Sequence, residues 1–175
     1  MATALIVIDV QRGMVNDNSQ HVVPKVIELI RQARAKSIPV LFTRFINQAH
    51  SGYVKWMGWS RFMDSPEVDL HPDILPFVQT LFDKPGYTSV IPPVRAWLGA
   101  REITRLYCCG IDTECCVLKT GVDAFESDIE PIVVHDACAS HAGQAAHEAG
   151  LFVLSRLIGK NQIRGLDQVL GAQFT

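Results

Sequence analysis

The stretch Leu106–Asp123, LYCCGIDTECCVLKTGVD, decides how the chain is read. The apolar run from Ile103 to Cys109 stops at Gly110, and Glu114 to Phe125 then reads as a helix, so a strand feeds a helix here. Cys115 and Cys116 fall at the junction, in the first turn of the predicted helix. A thiol in that position lies near free backbone N–H groups and the positive end of the helix dipole. Both favour the thiolate, which is the nucleophilic form. Paired cysteines near a strand end are equally read as small core residues. This stretch alone chooses neither the reading nor the cysteine.

Working outward, ALIVIDV (residues 4–10) is a short aliphatic run containing Asp9, typical of a central strand in a parallel sheet. Val23, Val26, Ile27, Ile30 and Ala33 have helical spacing, and IPVLFTRF (residues 38–45) is the next strand. The chain therefore opens β-α-β. A third strand is predicted over Val78–Asp83, leading into Lys84, and a helix over Pro92–Leu98 with prolines in its first turn. The order continues with strand Ile103–Cys109, helix Glu114–Phe125, strand Pro131–His135 and helix Gln144–Leu157. A short strand at Asn161–Arg164 and a helical turn at Leu166–Leu170 close it. The expected fold is one three-layer α/β/α domain over residues 1–175, Rossmann-like, with a mostly parallel sheet of strand order 3-2-1-4-5-6. In such a sheet Asp9, Lys84 and Cys116 converge at the carboxyl ends of the strands, as an acid–base–nucleophile set.

Between the second and third strands lies a long irregular insertion, residues 46–72, carrying Tyr53, Trp56, Trp59 and Phe62. Loops this long in compact domains are usually lids or interface elements. Composition bounds the rest. Of 175 residues, 48% are hydrophobic and 19% charged, which describes a well-packed globule with a proper core. The net charge of −2 offers no footprint for nucleic acid or an acidic membrane surface. No apolar run reaches membrane-spanning length, and MATALIVIDVQ lacks the basic start of a signal peptide. Five cysteines without regular spacing fit reduced thiols, so a cytoplasmic location is expected.

Three segments together, IVIDVQ (residues 6–11), DKPGYTS (83–89) and GIDTECCV (110–117), resemble the isochorismatase-like cysteine hydrolases, a superfamily that includes nicotinamidases and N-carbamoylsarcosine amidases. The likeness runs from about Ala4 to Gly159, through TGVDA (120–124) and DACAS (136–140). The resemblance implies a catalytic trio of Asp9, Lys84 and Cys116. Its pattern G-x-x-T-x-x-C-V selects Cys116 over Cys115, because Gly110, Thr113 and Val117 fix the register. It also implies a non-proline cis peptide between Ile111 and Asp112, with the N–H groups of Asp112 and Cys116 forming an oxyanion hole. The implied activity is hydrolysis of an amide-like C–N bond of a small molecule through a thioester. Isochorismatase-type ether hydrolysis and a non-catalytic, oligomeric binding role are the alternatives. A nicotinamidase places an Asp-x-His after the second strand to bind a metal. TRFINQAH (residues 43–50) has none, and isolated His50 and His71 do not replace it, so no metal and no cofactor are expected. Gln11, Arg44, Trp56, Trp59 and Arg61 are the candidates for holding the small-molecule substrate, the arginines through a carboxylate and the aromatics as an apolar wall. The resemblance further implies a homo-oligomer, dimer or tetramer. Cys108, Cys109 and Cys115 are read as packing residues, and His135 and His147 as structural or exposed. Cys138 and His141 lie near the same sheet edge with no assigned role.

Overall fold

The computed structural model describes Met1–Gly171; residues 172–175 of the expected domain lie outside the described residues. Six strands form one sheet in the order β3-β2-β1-β4-β5-β6. They are β1 (Ala2–Ile8), β2 (Val40–Phe45), β3 (Leu81–Lys84), β4 (Ile103–Ile111), β5 (Glu130–Ala139) and β6 (Ile163–Arg164). Every pairing is parallel, so the sheet is wholly and not mostly so. The helices are α1 (Val23–Ala35), α2 (Gly52–Met57), α3 (Pro92–Gly99), α4 (Leu118–Glu126), α5 (Gln144–Leu157) and α6 (Leu166–Gly171). Helix α1 packs with α6 and α4 with α5, and both pairs rest on β5, giving the α/β/α layering.

The aliphatic run of β1 explains its central place. Leu5, Ile6, Val7 and Ile8 are buried, as a strand covered on both faces requires. Each such side chain gains roughly 1.5–3 kcal/mol on leaving water. On α1 the buried residues are Val23, Val26, Leu29, Ile30 and Ala33, one stripe at helical spacing.

Three local departures from the sequence expectation matter for the site. Gly110 does not end β4; the strand runs on through it to Ile111. At Gly110, where φ is 126°, a Cβ would stand 2.0 Å from the Ile8 carbonyl oxygen. The glycine is therefore a close approach between the two central strands and not a stop signal. After β4 the chain makes a π-helical turn, Thr113–Val117, before α4 begins at Leu118. Such turns recur at functional sites. Finally, β5 continues through HDACA to Ala139, with a register shift against β4 between Cys108 and Gly110. This carries Cys138 into the buried core and leaves His141 just beyond the strand end.

The insertion is anchored from the first strand's end. Gln11 is buried, and its Nε2 donates to the Phe45 and Val68 carbonyls, both at 2.9 Å. Its Oε1 accepts from Phe45 N at 2.9 Å. One amide thus ties the end of β2 to the far end of the insertion. Within the insertion, Ser51 caps the unforeseen helix α2 by accepting from Val54 N. Ser65–Pro66 is cis.

Candidate active site

Reversal of strand order between β1 and β4 opens a crevice at their carboxyl ends, and the chemistry-bearing residues collect there. Asp9 follows β1, Lys84 ends β3, and Cys116 sits in the π-turn after β4. All three are buried. Lys84 Nζ lies 2.7 Å from Asp9 Oδ2 and 3.4 Å from Cys116 Sγ. It also donates to the carbonyls of Gly86, at 2.8 Å, and Tyr87, at 3.1 Å. The Phe45 ring, whose centroid is 5.6 Å away, adds a further attraction for a cation.

The two oxygens of Asp9 are not equivalent. Oδ1 accepts a hydrogen bond from Thr43 Oγ1 at 2.9 Å. Oδ2 makes the close charge contact with Lys84, but off the angles of a hydrogen bond, and has no other partner. Thr43 in turn lies 3.2 Å from Ser89 Oγ, and Ser89 N donates to Thr120 Oγ1 at 2.9 Å. This buried polar chain fixes the plane of the carboxylate and leaves Oδ2 toward the Lys84 side. Sequence reading missed Thr43 and Ser89. A threonine within the apolar strand IPVLFTRF was the available signal, since Thr43 pairs in register with Ile8 beside Asp9.

Electrostatics corrects the expectation of a resting thiolate. Burial, then the Asp9 carboxylate, pushes the Cys116 thiol well above its ordinary range, and Lys84 offsets only part of this. For Lys84, desolvation favours the neutral amine, but Asp9 and Cys116 together outweigh it and raise its pKa. Cys115 is half-buried and also pushed up, to about 12, by burial and by Glu114 and Asp112. Cys108 and Cys109 are wholly buried, and burial raises both thiols.

The turn carrying Cys116 is held from α5. Thr113 Oγ1 lies 2.7 Å from His147 Nδ1, and both residues are buried. At Gly150 a Cβ would come within 2.7 Å of Glu114 Cα, so only glycine lets α5 approach this closely. The peptide between Ile111 and Asp112 is cis.

A cavity of about 240 Å³ opens above Cys116. That is below the roughly 300–1,000 Å³ of pockets for drug-sized ligands. Phe45, Tyr53, Trp59 and Tyr87 supply its aromatic wall, with Met14 and Met57 beside them. The rings support one another: Phe45–Tyr53 and Tyr53–Tyr87 meet edge-on, each at 5.2 Å, and Trp59 stacks on buried Phe62 at 5.5 Å. Asp112, Cys115 and His141 complete the lining. The insertion of the same chain therefore closes over its own Cys116.

Of the residues expected to hold substrate, the structure brings only Trp59 to the cavity. Trp56 is 87% exposed. Arg44 forms a two-pronged pair with Asp83 at 2.8 and 2.9 Å between β2 and β3. Arg61 pairs with Glu67 at 2.7 Å and lies over the Phe62 ring. Gln11 is taken up by the insertion anchor. A carboxylate partner holds each arginine outside the cavity lining, and the sequence gives no sign of that pairing. Tyr53, Tyr87 and Met57 line the cavity without having been singled out for it.

His71 turns to Asp73, its Nδ1 accepting from the Asp73 backbone N–H at 3.3 Å. Asp112, Glu114 and Cys115 bring ligating atoms within 4.8 Å of one another. Asp112 is bonded by His141 and Glu114 by Ser140, and no metal is assigned to them.

Comparison with known proteins agrees with this fold. The isochorismatase domain family matches residues 3–161. The chain belongs to the isochorismatase family. Isochorismatase domain-containing protein 2 of Bos taurus is 25% identical over 124 residues, which is 70% of this chain and 52% of that protein. The chain thus spans about half the length of that relative. An isochorismatase-like hydrolase from Alkaliphilus metalliredigens superposes with a TM-score of 0.85 at 18% identity, covering 98% of this chain and 99% of that one. N-carbamoylsarcosine amidase from Thermoplasma acidophilum gives 0.81 at 18% identity, covering 95% and 98%. Among the described residues no helix is long and apolar enough to cross a membrane.

Proposed function

We propose that this protein is a cysteine hydrolase that cleaves an amide-like C–N bond of a small molecule with Asp9, Lys84 and Cys116. One observation carries the reading: behind the cavity's Cys116 a single ammonium touches both the carboxylate, at 2.7 Å, and the thiol, at 3.4 Å. A buried ion pair adds little net stability, whereas this one is placed to manage a proton. The amidase likeness favours a C–N bond, and cleavage of a vinyl ether needs no thiol nucleophile.

In the first step Sγ attacks the carbonyl carbon as its proton passes to Asp9 Oδ2, the oxygen free of hydrogen bonds. A raised thiol pKa suits this order, because the proton leaves only as the new C–S bond forms. The tetrahedral oxyanion is assigned to the backbone N–H groups of Asp112 and Cys116, two residues lining the cavity. The C–N bond then breaks, the Asp9 proton goes to the leaving nitrogen, and an acyl thioester remains on Cys116. Water gives a proton to Asp9 and attacks the thioester; the C–S bond breaks, Asp9 returns that proton to Sγ, and the acid leaves. Lys84 keeps its proton throughout and balances the changing charge on Asp9 and Sγ.

A screen of small amides against wild type and Cys116→Ala tests this reading. Release of amine or ammonia by wild type, reduced about 10⁴-fold or more in the variant, is expected. Undiminished hydrolysis by Cys116→Ala would overturn it.

A further inference from the structure

The mechanism leaves one charged group of the cavity unused. His141 follows β5 and lines the cavity with Cys116. Asp112 grips it twice, Oδ1 accepting its backbone N–H at 2.7 Å and Oδ2 lying 2.6 Å from Nδ1. Asn16 and Asn18 both donate to its carbonyl at 3.0 Å, fixing the same residue from the opposite side. The Asp112 side chain is only 6% exposed, while that of His141 is 44% exposed. An incoming ligand therefore meets the imidazole and not the carboxylate behind it. Nε2 has no partner among the described residues.

We propose that His141 determines specificity by donating from Nε2 to a carboxylate on the substrate, at the end remote from the scissile amide. The substrate class is then a small amide with a flat apolar body and a free carboxylate. The body rests between the rings of Phe45, Tyr53, Trp59 and Tyr87, which favour a flat partner. Arg61, the other cation near this rim, is held by Glu67 and does not line the cavity. A charge-assisted hydrogen bond is about twice as strong as a neutral one, so a carboxylate gains more here than a carbonyl.

The titration supports the geometry. Its hydrogen bond to Asp112 raises the His141 pKa against partial burial; Glu114 adds to the rise and Arg61 opposes it. The imidazolium is present at low pH and lost as pH rises through this raised value, so carboxylate binding weakens in the same direction.

This inference rests on the hydrolase reading, but its test does not depend on turnover. Cys116→Ala protein is titrated calorimetrically with 4-carboxybenzamide and with benzamide at pH 6 and pH 9. The carboxylated amide binds at least tenfold tighter at pH 6, and the preference shrinks severalfold at pH 9. Adding His141→Asn, or His141→Gln should that double variant fold poorly, brings the ratio near one. Equal affinities, a preference that survives both replacements, or no binding of 4-carboxybenzamide at millimolar concentration overturns the inference. Each of these results leaves the loss of hydrolysis in Cys116→Ala, the test of the hydrolase reading, untouched.

Discussion

The floor and the walls of the cavity are built on different terms. The floor is Cys116, with Asp9 and Lys84 buried behind it, all three placed at the carboxyl edge of the sheet. Half of the aromatic wall, Tyr53 and Trp59, comes from the insertion, and these rings pack on one another and on Phe45. The sheet holds charges where water cannot screen them, and the insertion holds surfaces that a ligand displaces. Rate is expected to reside in the floor, and affinity and selectivity in the walls.

Replacing Lys84 with Met tests that division most severely. It leaves Asp9 buried and unpaired, a loss of about 3–5 kcal/mol of stability in addition to activity. Chemical denaturation and amide hydrolysis measure the two effects. A protein that loses activity but unfolds at the wild-type midpoint would show that the pair does not support the floor.

Asp9→Asn sharpens the comparison by separating acidity from catalysis. Asp9 raises the Cys116 pKa, so its removal leaves Lys84 opposed mainly by burial and shifts the thiol toward thiolate. Iodoacetamide labelling of Cys116 at pH 7 should speed up about tenfold for each unit by which the pKa falls. Hydrolysis should fall about 10²–10⁴-fold, the usual loss of a general base. Faster labelling together with retained hydrolysis would remove Asp9 from the proton path.

The walls should respond differently. Trp59→Ala removes a ring in contact with Phe45 and Phe62, and is expected to raise KM about tenfold with a smaller change in kcat. A loss confined to kcat would assign the wall to chemistry. The smallest effect is expected from Thr43→Val, which frees Asp9 Oδ1 and should cost about 1–3 kcal/mol in stability with a modest fall in kcat. Unchanged stability would show that the Thr43 bond carries no weight.

The same division explains what the sequence made legible. Strand order, the trio and its register were readable because each follows from a short run, such as IVIDVQ or GIDTECCV, bound to the repeating β-α geometry. The lining of the insertion was not. Whether an arginine faces a ligand depends on which carboxylate reaches it first, and Asp83 and Glu67 lie 39 and 6 residues away from Arg44 and Arg61. Trp56 and Trp59 look alike in sequence, yet α2 ends between them at Gly58, in a left-handed conformation that sends one outward and the other inward. The acidity of Cys116 was misread for a related reason. Helix position argued for a thiolate, but that argument lacked the depth of burial and the proximity of Asp9, which act against it.

The central claim, that Cys116 forms an acyl thioester at the cavity with Asp9 and Lys84 buried behind it, has a direct measurement. Wild type is mixed with a hydrolysable carboxamide, quenched in acid within the first turnover and mapped by peptide mass spectrometry. An acyl increment on the peptide containing Cys116, absent from Cys116→Ala, is the predicted result. An increment on another residue, or turnover by wild type with no acylated peptide and full activity in Cys116→Ala, would contradict it.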